Sequence, residues 1–252
     1  MTKNALKTAE STAVATTEVD DLLAEFAGAG TSSDAAHNVV PMVYVLQTNS
    51  PQVNKRGDAY VNGAEPGDLW LKNAVSPIVK GTEGVLFQPV SFQWAWVEWK
   101  PNRGGFVGTH LERPSDAAQK QVAPDDDRLQ WVRANGNQVV ETCYVYGLIA
   151  MELPYVIPLS SSGIKVAREW NTNARARKHN GKALPLFGTK YKLKTVFRSN
   201  ERGEWFTLGF DFDEGLPTKE QIYNGFEFFK SIDSGEKRAE APHAEAESEI
   251  PF

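Results

Sequence analysis

The chain has 252 residues, 41% of them hydrophobic and 11% aromatic, which is enough for a sizeable core. Cys143 is the only cysteine, so internal disulfides are excluded and a reducing compartment is expected; no run of 18 apolar residues exists, and Lys3 and Lys7 are followed by polar residues where an export signal needs an apolar run. The net charge of -5 excludes a generally basic protein, so any affinity for a polyanion has to come from local clustering.

Residues 1–38 read as a flexible polar arm with one short amphipathic helix, in which Val19, Leu22, Leu23 and Phe26 repeat at i, i+3, i+4 and i+7. Alone it is too short to be stable, so it can dock on the domain or on another chain, and a homo-oligomer is compatible with it. Residues 39–233 read as one β-rich domain. Val40–Gln47 opens an apolar run, and Asp68–Leu71 is a short strand. Gly84–Lys100 is the densest aromatic stretch: at a period of two, Val90, Phe92, Trp94 and Trp96 share one face and Gln93, Ala95, Val97 and Trp99 the other. Such a strand is either a core strand or one that offers rings to something flat. Leu129–Ala134 and Gln138–Ala150 read as a hairpin around Asn135-Gly136-Asn137.

Charge clusters between Ile164 and Arg198. Ten lysines and arginines stand there against one acid, Glu169, giving +9 and leaving -14 for the rest of the chain. The first half reads as a helix to about Lys178, with Val166, Ala167, Trp170 and Ala174 on its apolar side and Lys165, Arg168, Arg175 and Lys178 beside them. The second half, Thr189–Arg198, alternates as a strand with Lys190, Lys192 and Lys194 on one face. Cations interleaved with rings suit single-stranded nucleic acid, whose phosphates need neutralising and whose bases need stacking partners. The candidate phosphate contacts are Lys165, Arg168, Arg175, Arg177, Lys178, Lys190, Lys192 and Lys194. The candidate stacking residues are Trp94, Trp96, Trp99, Trp170 and Tyr191. Trp205–Phe212 reads as a partner strand, and a last helix begins at Pro217 with Ile222, Phe226 and Phe229 on one side.

Residues 234–252 read as a disordered acidic tail. Glu240, Glu245, Glu247 and Glu249 lead into Ile250-Pro251-Phe252, and from Ala239 on there is no lysine or arginine. An apolar tip on an acidic tether has no core of its own to join and suits capture by another protein. This ending resembles the C-terminal tip of bacterial and phage single-stranded DNA-binding proteins. The resemblance covers the last half-dozen residues; the body is larger than that family's domain. It implies that Glu247, Glu249, Ile250, Pro251 and Phe252 recruit replication and repair enzymes, that the tail competes with DNA for the groove, and that no cofactor is needed. The fold class expected is α+β: a β-rich core like an OB-fold barrel, with added helices and tails at both ends. The function expected is coating of single-stranded DNA in phage or prophage replication or recombination, in the bacterial or infected-host cytoplasm, with no membrane partner and no catalysis.

Two other readings compete. Asp68 followed by Glu98-Trp99-Lys100 has the order of a Mg²⁺-dependent nuclease, in which two carboxylates hold the ion and the lysine orients water. A structural or assembly protein of the phage would instead use the N-terminal helix and terminal Phe252 as protein contacts.

Overall fold

The computed structural model describes residues 39–239, apart from positions 102, 103, 119, 124, 125 and 202 and the side chains of 119–129. The chain divides into two units, Met1–His37 and Asn38–Phe252, and all described residues lie in the second. The N-terminal arm and the tail from Glu240 onward, with Glu247, Glu249, Ile250, Pro251 and Phe252, lie outside the described residues.

The strands run β1 (Val39–Val40), β2 (Val43–Val45), β3 (Leu69–Leu71), β4 (Ile78–Val79), β5 (Val85–Trp99), β6 (Phe106–His110), β7 (Lys120–Ala123), β8 (Asp126–Val132), β9 (Gln138–Ile149) and β10 (Leu153–Ser160). Helix α1 (Gly163–Arg175) follows, then β11 (Lys178–His179), β12 (Lys182–Ala183), β13 (Lys190–Asn200), β14 (Gly203–Asp213), helix α2 (Lys219–Asp233) and β15 (Arg238–Ala239).

Strand β5 is the spine. It pairs antiparallel with β9 along most of its length, with β6 at its far end and with β13 at its near end. Eight strands join in the order β14-β13-β5-β9-β8-β7, with β10 added on β9 and β6 on β5; β2-β3-β4 form a separate small sheet. The α+β, β-rich class expected from the sequence is the class observed. Where a barrel would close, the ladder among the described residues is open, ending at β14 and β7.

A bulge at Val90 decides which side chains of β5 face which way. Pro89 pairs with Gly147 and Ser91 with Tyr146, so Val90 is an extra residue that shifts the alternation by one. Val90 therefore joins Ala95, Val97 and Trp99 on one face, while Phe87, Phe92 and Trp94 lie on the other. The strict period of two had put Val90 with Phe92.

Each face carries a core and a helix. On the first, α1 buries Ile164, Ala167, Trp170 and Ala174. The Trp170 ring is surrounded by Phe87, Phe92, Tyr191 and Phe210, with centroids 5.2–5.6 Å away. On the second, Phe228 and Ile232 of α2 pack with Val97, Trp99, Tyr144 and Tyr146. Helix α2 starts on a capping box: the Gln221 amide donates to Thr218 Oγ1 at 3.2 Å and the Thr218 amide to Gln221 Oε1 at 2.9 Å. Its buried side is Gly225, Phe228 and Ile232; Ile222 and Phe226, expected inside with Phe229, are exposed. No helix among the described residues is long and apolar enough to cross a membrane.

Candidate nucleic-acid interface

Three of the five rings expected to stack on bases are core residues. Trp99, Trp170 and Tyr191 are fully buried and offer no face to a ligand. Their neighbours in the chain are aromatic and cationic, but each falls on the inward side of its element. Trp94 and Trp96 remain half-buried, Trp94 against the edge of the first core.

The basic segment is also divided. Tyr191 and Leu193 point into the first core beneath α1, so the alternation of β13 turns Lys190, Lys192 and Lys194 to the opposite face of the ribbon. There β14 meets them with two aspartates. Lys190 Nζ lies 3.5 Å from Asp213 Oδ1, and Lys194 donates to Asp211. Lys192 faces Asp211 across the ladder and remains exposed. The lysine ladder is thus largely neutralised, and it does not share a surface with α1.

On α1, Lys165, Arg168, Thr172 and Arg175 recur at i, i+3, i+7 and i+10, forming one edge along about 15 Å of helix. The edge is turned toward β9, because the Arg168 guanidinium donates to both carboxylate oxygens of Glu141 at 2.8 and 2.9 Å. Glu141 is the cross-strand neighbour of Trp96. Lys165 and Arg175 are exposed and make no ion pair among the described residues.

Around Trp96 the sheet brings together residues that lie far apart in sequence. The Trp131 ring meets it edge-on with centroids 6.0 Å apart, and the Arg113 guanidinium lies 3.9 Å above Trp131 and 5.7 Å from Trp96. His110 pairs with Trp96 across β6. Two residues along, Glu98 is 2% exposed and accepts hydrogen bonds from His110 Nε2 (2.7 Å), Arg133 (2.7 Å) and Asn137 Nδ2 (2.6 Å). Arg133 also bridges to Asp116 at 3.0 Å. Burial pushes the Glu98 carboxyl up, but the hydrogen bonds from Asn137, Arg133 and His110 outweigh it and hold the group at about 2. The ionised carboxylate fixes the imidazole of His110, the cross-strand neighbour of Trp96, and the guanidinium of Arg133, two residues along from Trp131. Arg113, by contrast, is exposed and has no acidic partner among the described residues.

Trp131, Arg113, His110 and Arg133 were not among the sequence candidates. A signal for Trp131 existed: it lies four residues before the Asn135-Gly136 turn, which fixes the register that pairs it with Val139.

The helix itself stops earlier than its periodicity suggested. Asn180-Gly181 is the turn of a hairpin, with φ of 50° and 77°, joining β11 to β12. Lys178, His179 and Lys182 stand on this fully exposed finger. Its base is anchored by Arg177, whose guanidinium lies 3.5 Å from the Phe212 ring centroid and donates to Asn173.

The nuclease residues do not form one site. Asp68 accepts from Lys80 Nζ at 2.9 Å and from the Glu65 amide at 3.0 Å, whereas Glu98 is held by His110, Arg133 and Asn137. Among the described residues they share no partner, and Lys100 is exposed.

The family model described as Pam3 phage gp34-like protein matches residues 9–238. The chain belongs to this phage protein family. The match takes in both helices, the finger and the Trp96–Trp131 cluster, and it ends before Glu247–Phe252. Neither curated proteins nor solved structures gave a match.

Proposed function

We propose that this member of the phage family binds single-stranded DNA, stoichiometrically and without catalysis, on the sheet face between the basic edge of α1 and the Trp96–Trp131 pair. The observation that carries this is the exposed Arg113 guanidinium lying over the half-buried Trp96 and Trp131 rings and making no ion pair among the described residues. A flat ring plus an uncommitted cation is what an unstacked nucleotide needs, and each stacked base contributes on the order of 1–3 kcal/mol. Lys165 and Arg175 supply the neighbouring phosphate contacts, each steepening the dependence of log affinity on log salt by about 0.7. In this reading Trp94, Trp96 and Trp131 stack, and the lysines of β13 are secondary. The tip Ile250-Pro251-Phe252, with Glu247 and Glu249, recruits replication, recombination or repair enzymes.

The test is a fluorescence-anisotropy titration against labelled single-stranded and duplex oligonucleotides in EDTA at several salt concentrations, with Arg113→Ala and Trp131→Ala beside the unaltered protein. Salt-sensitive preference for the single strand, weakened by both substitutions, is expected. Binding that ignores both substitutions removes this face from the reading, and no binding at low salt removes the reading.

A further inference from the structure

The finger built from β11 and β12 has no part in either core. Every residue from Lys178 to Ala183 is exposed, Lys178 and Lys182 form no ion pair among the described residues, and the strand pair is closed by the left-handed Asn180-Gly181 turn. A solvated loop needs none of this order. The finger is held on its stalk by the hydrogen bond from the Leu184 amide to the Arg177 carbonyl at 3.0 Å, and by the packing of Arg177 on Phe212. It follows the end of α1 at Arg175 after two residues, so its lysines come next in the chain after the cations of the helix edge.

A two-stranded ribbon has its strands about 4.8 Å apart, and with side chains it fits a B-form major groove about 12 Å wide. A single strand offers no such groove. We propose that the finger enters the groove of a duplex segment adjoining the single strand on the Trp96–Trp131 face, so that the preferred partner is a junction between single-stranded and duplex DNA. Lys178 and Lys182 contact the phosphates on the groove walls, and His179 and Asn180 at the tip face the base edges. This rests on the single-strand reading above and adds the duplex arm to it.

Three fluorescein-labelled probes test it by anisotropy in EDTA: a single strand, a blunt duplex, and a junction carrying the same single strand. The full chain is expected to bind the junction about tenfold more tightly than the single strand. His179→Ala with Lys182→Ala is expected to remove that preference while single-strand affinity stays within about threefold. Gly181→Val keeps the charge but puts a β-branched residue at a left-handed position; it too should lose the preference, and retention would show that charge alone suffices and overturn groove entry. Equal affinity of the unaltered protein for junction and single strand overturns the proposal, as does an equal loss for both probes in the double variant. Finger-dependent duplex binding with no single-strand binding would overturn the single-strand reading and leave the groove contact standing. No binding to any probe overturns both.

Discussion

Arg168 of α1 holds both oxygens of Glu141, the residue opposite Trp96 on the neighbouring strand. The pair orients the helix edge over the tryptophan face and at the same time consumes one of its cations. Both side chains are partly exposed, so the bridge contributes on the order of 0.5 kcal/mol to stability. Glu141→Gln should therefore leave thermal stability nearly unchanged while freeing Arg168 for a phosphate, which steepens the salt dependence of DNA binding by about 0.7. An unchanged slope would place Arg168 outside the path of the DNA.

Buried and accessible tryptophans should separate cleanly. Trp170→Ala empties the centre of the first core and is expected to cost about 3–5 kcal/mol of stability in denaturant unfolding. Trp96→Ala should cost much less stability but weaken single-strand binding by on the order of 1–3 kcal/mol. Equal destabilisation by the two would mean that Trp96 is a packing residue.

The division of the basic segment predicts unequal mutants of equal charge. Lys165→Ala with Arg175→Ala should lower DNA affinity and reduce the salt slope by about 1.4, two phosphates' worth. Lys190→Ala with Lys194→Ala removes the same charge from the opposite face, where Asp213 and Asp211 already answer it, and should change the slope little. Comparable effects from both pairs would show that DNA wraps both faces of the sheet.

Glu98 gives a pH dependence of definite sign. Its carboxyl is held at about 2, below the ordinary 4.5, so the folded state favours the ionised form. That stability is complete above about pH 4.5 and is lost as the pH falls through the window toward about 2. Chemical denaturation at steps of pH should show a loss on the order of 2 kcal/mol that is missing in Glu98→Gln, a variant already destabilised at neutral pH because Arg133 loses the carboxylate charge that it shares with His110.

Gly147 sits opposite the bulge of β5, where a Cβ would collide with the Phe87 ring and with the Gln88 carbonyl. Gly147→Ala should destabilise the domain by about 3 kcal/mol through overpacking between its two longest partnered strands, measurable as a lower denaturant midpoint.

What could be read from the sequence follows the strength of local signals. Strands β5, β9, β13 and β14 and both helices announced themselves through periodicity and caps. Strand β10 did not, because its hairpin to β9 turns on Ala150 and Met151, both at positive φ (51° and 69°), where the usual Asn-Gly signal is missing. The finger shows the reverse: Asn180-Gly181 carries that very signal, but the helical spacing of the cations before it extends the apparent helix past Arg175. The site suffered more than the fold. Pairing across strands brings Trp131 and His110 to Trp96 and sets Arg113 beside them, and apart from the Asn135-Gly136 turn no local pattern reports those registers. The inward turn of Tyr191, which sends the lysines of β13 to the other face, depends on what α1 buries, and that is a tertiary fact.

Strand β1 runs parallel to β15, with Val39 beside Arg238 and Val40 beside Ala239. The first and last described strands are therefore neighbours in one ribbon, and a short linker that doubles back could join Ala239 to Val39. The order of elements along the chain is then separable from the architecture: a circular permutant opened at Asn180-Gly181, whose residues touch neither core, should build the same sheet and the same tryptophan face, with the finger's two strands as its new ends.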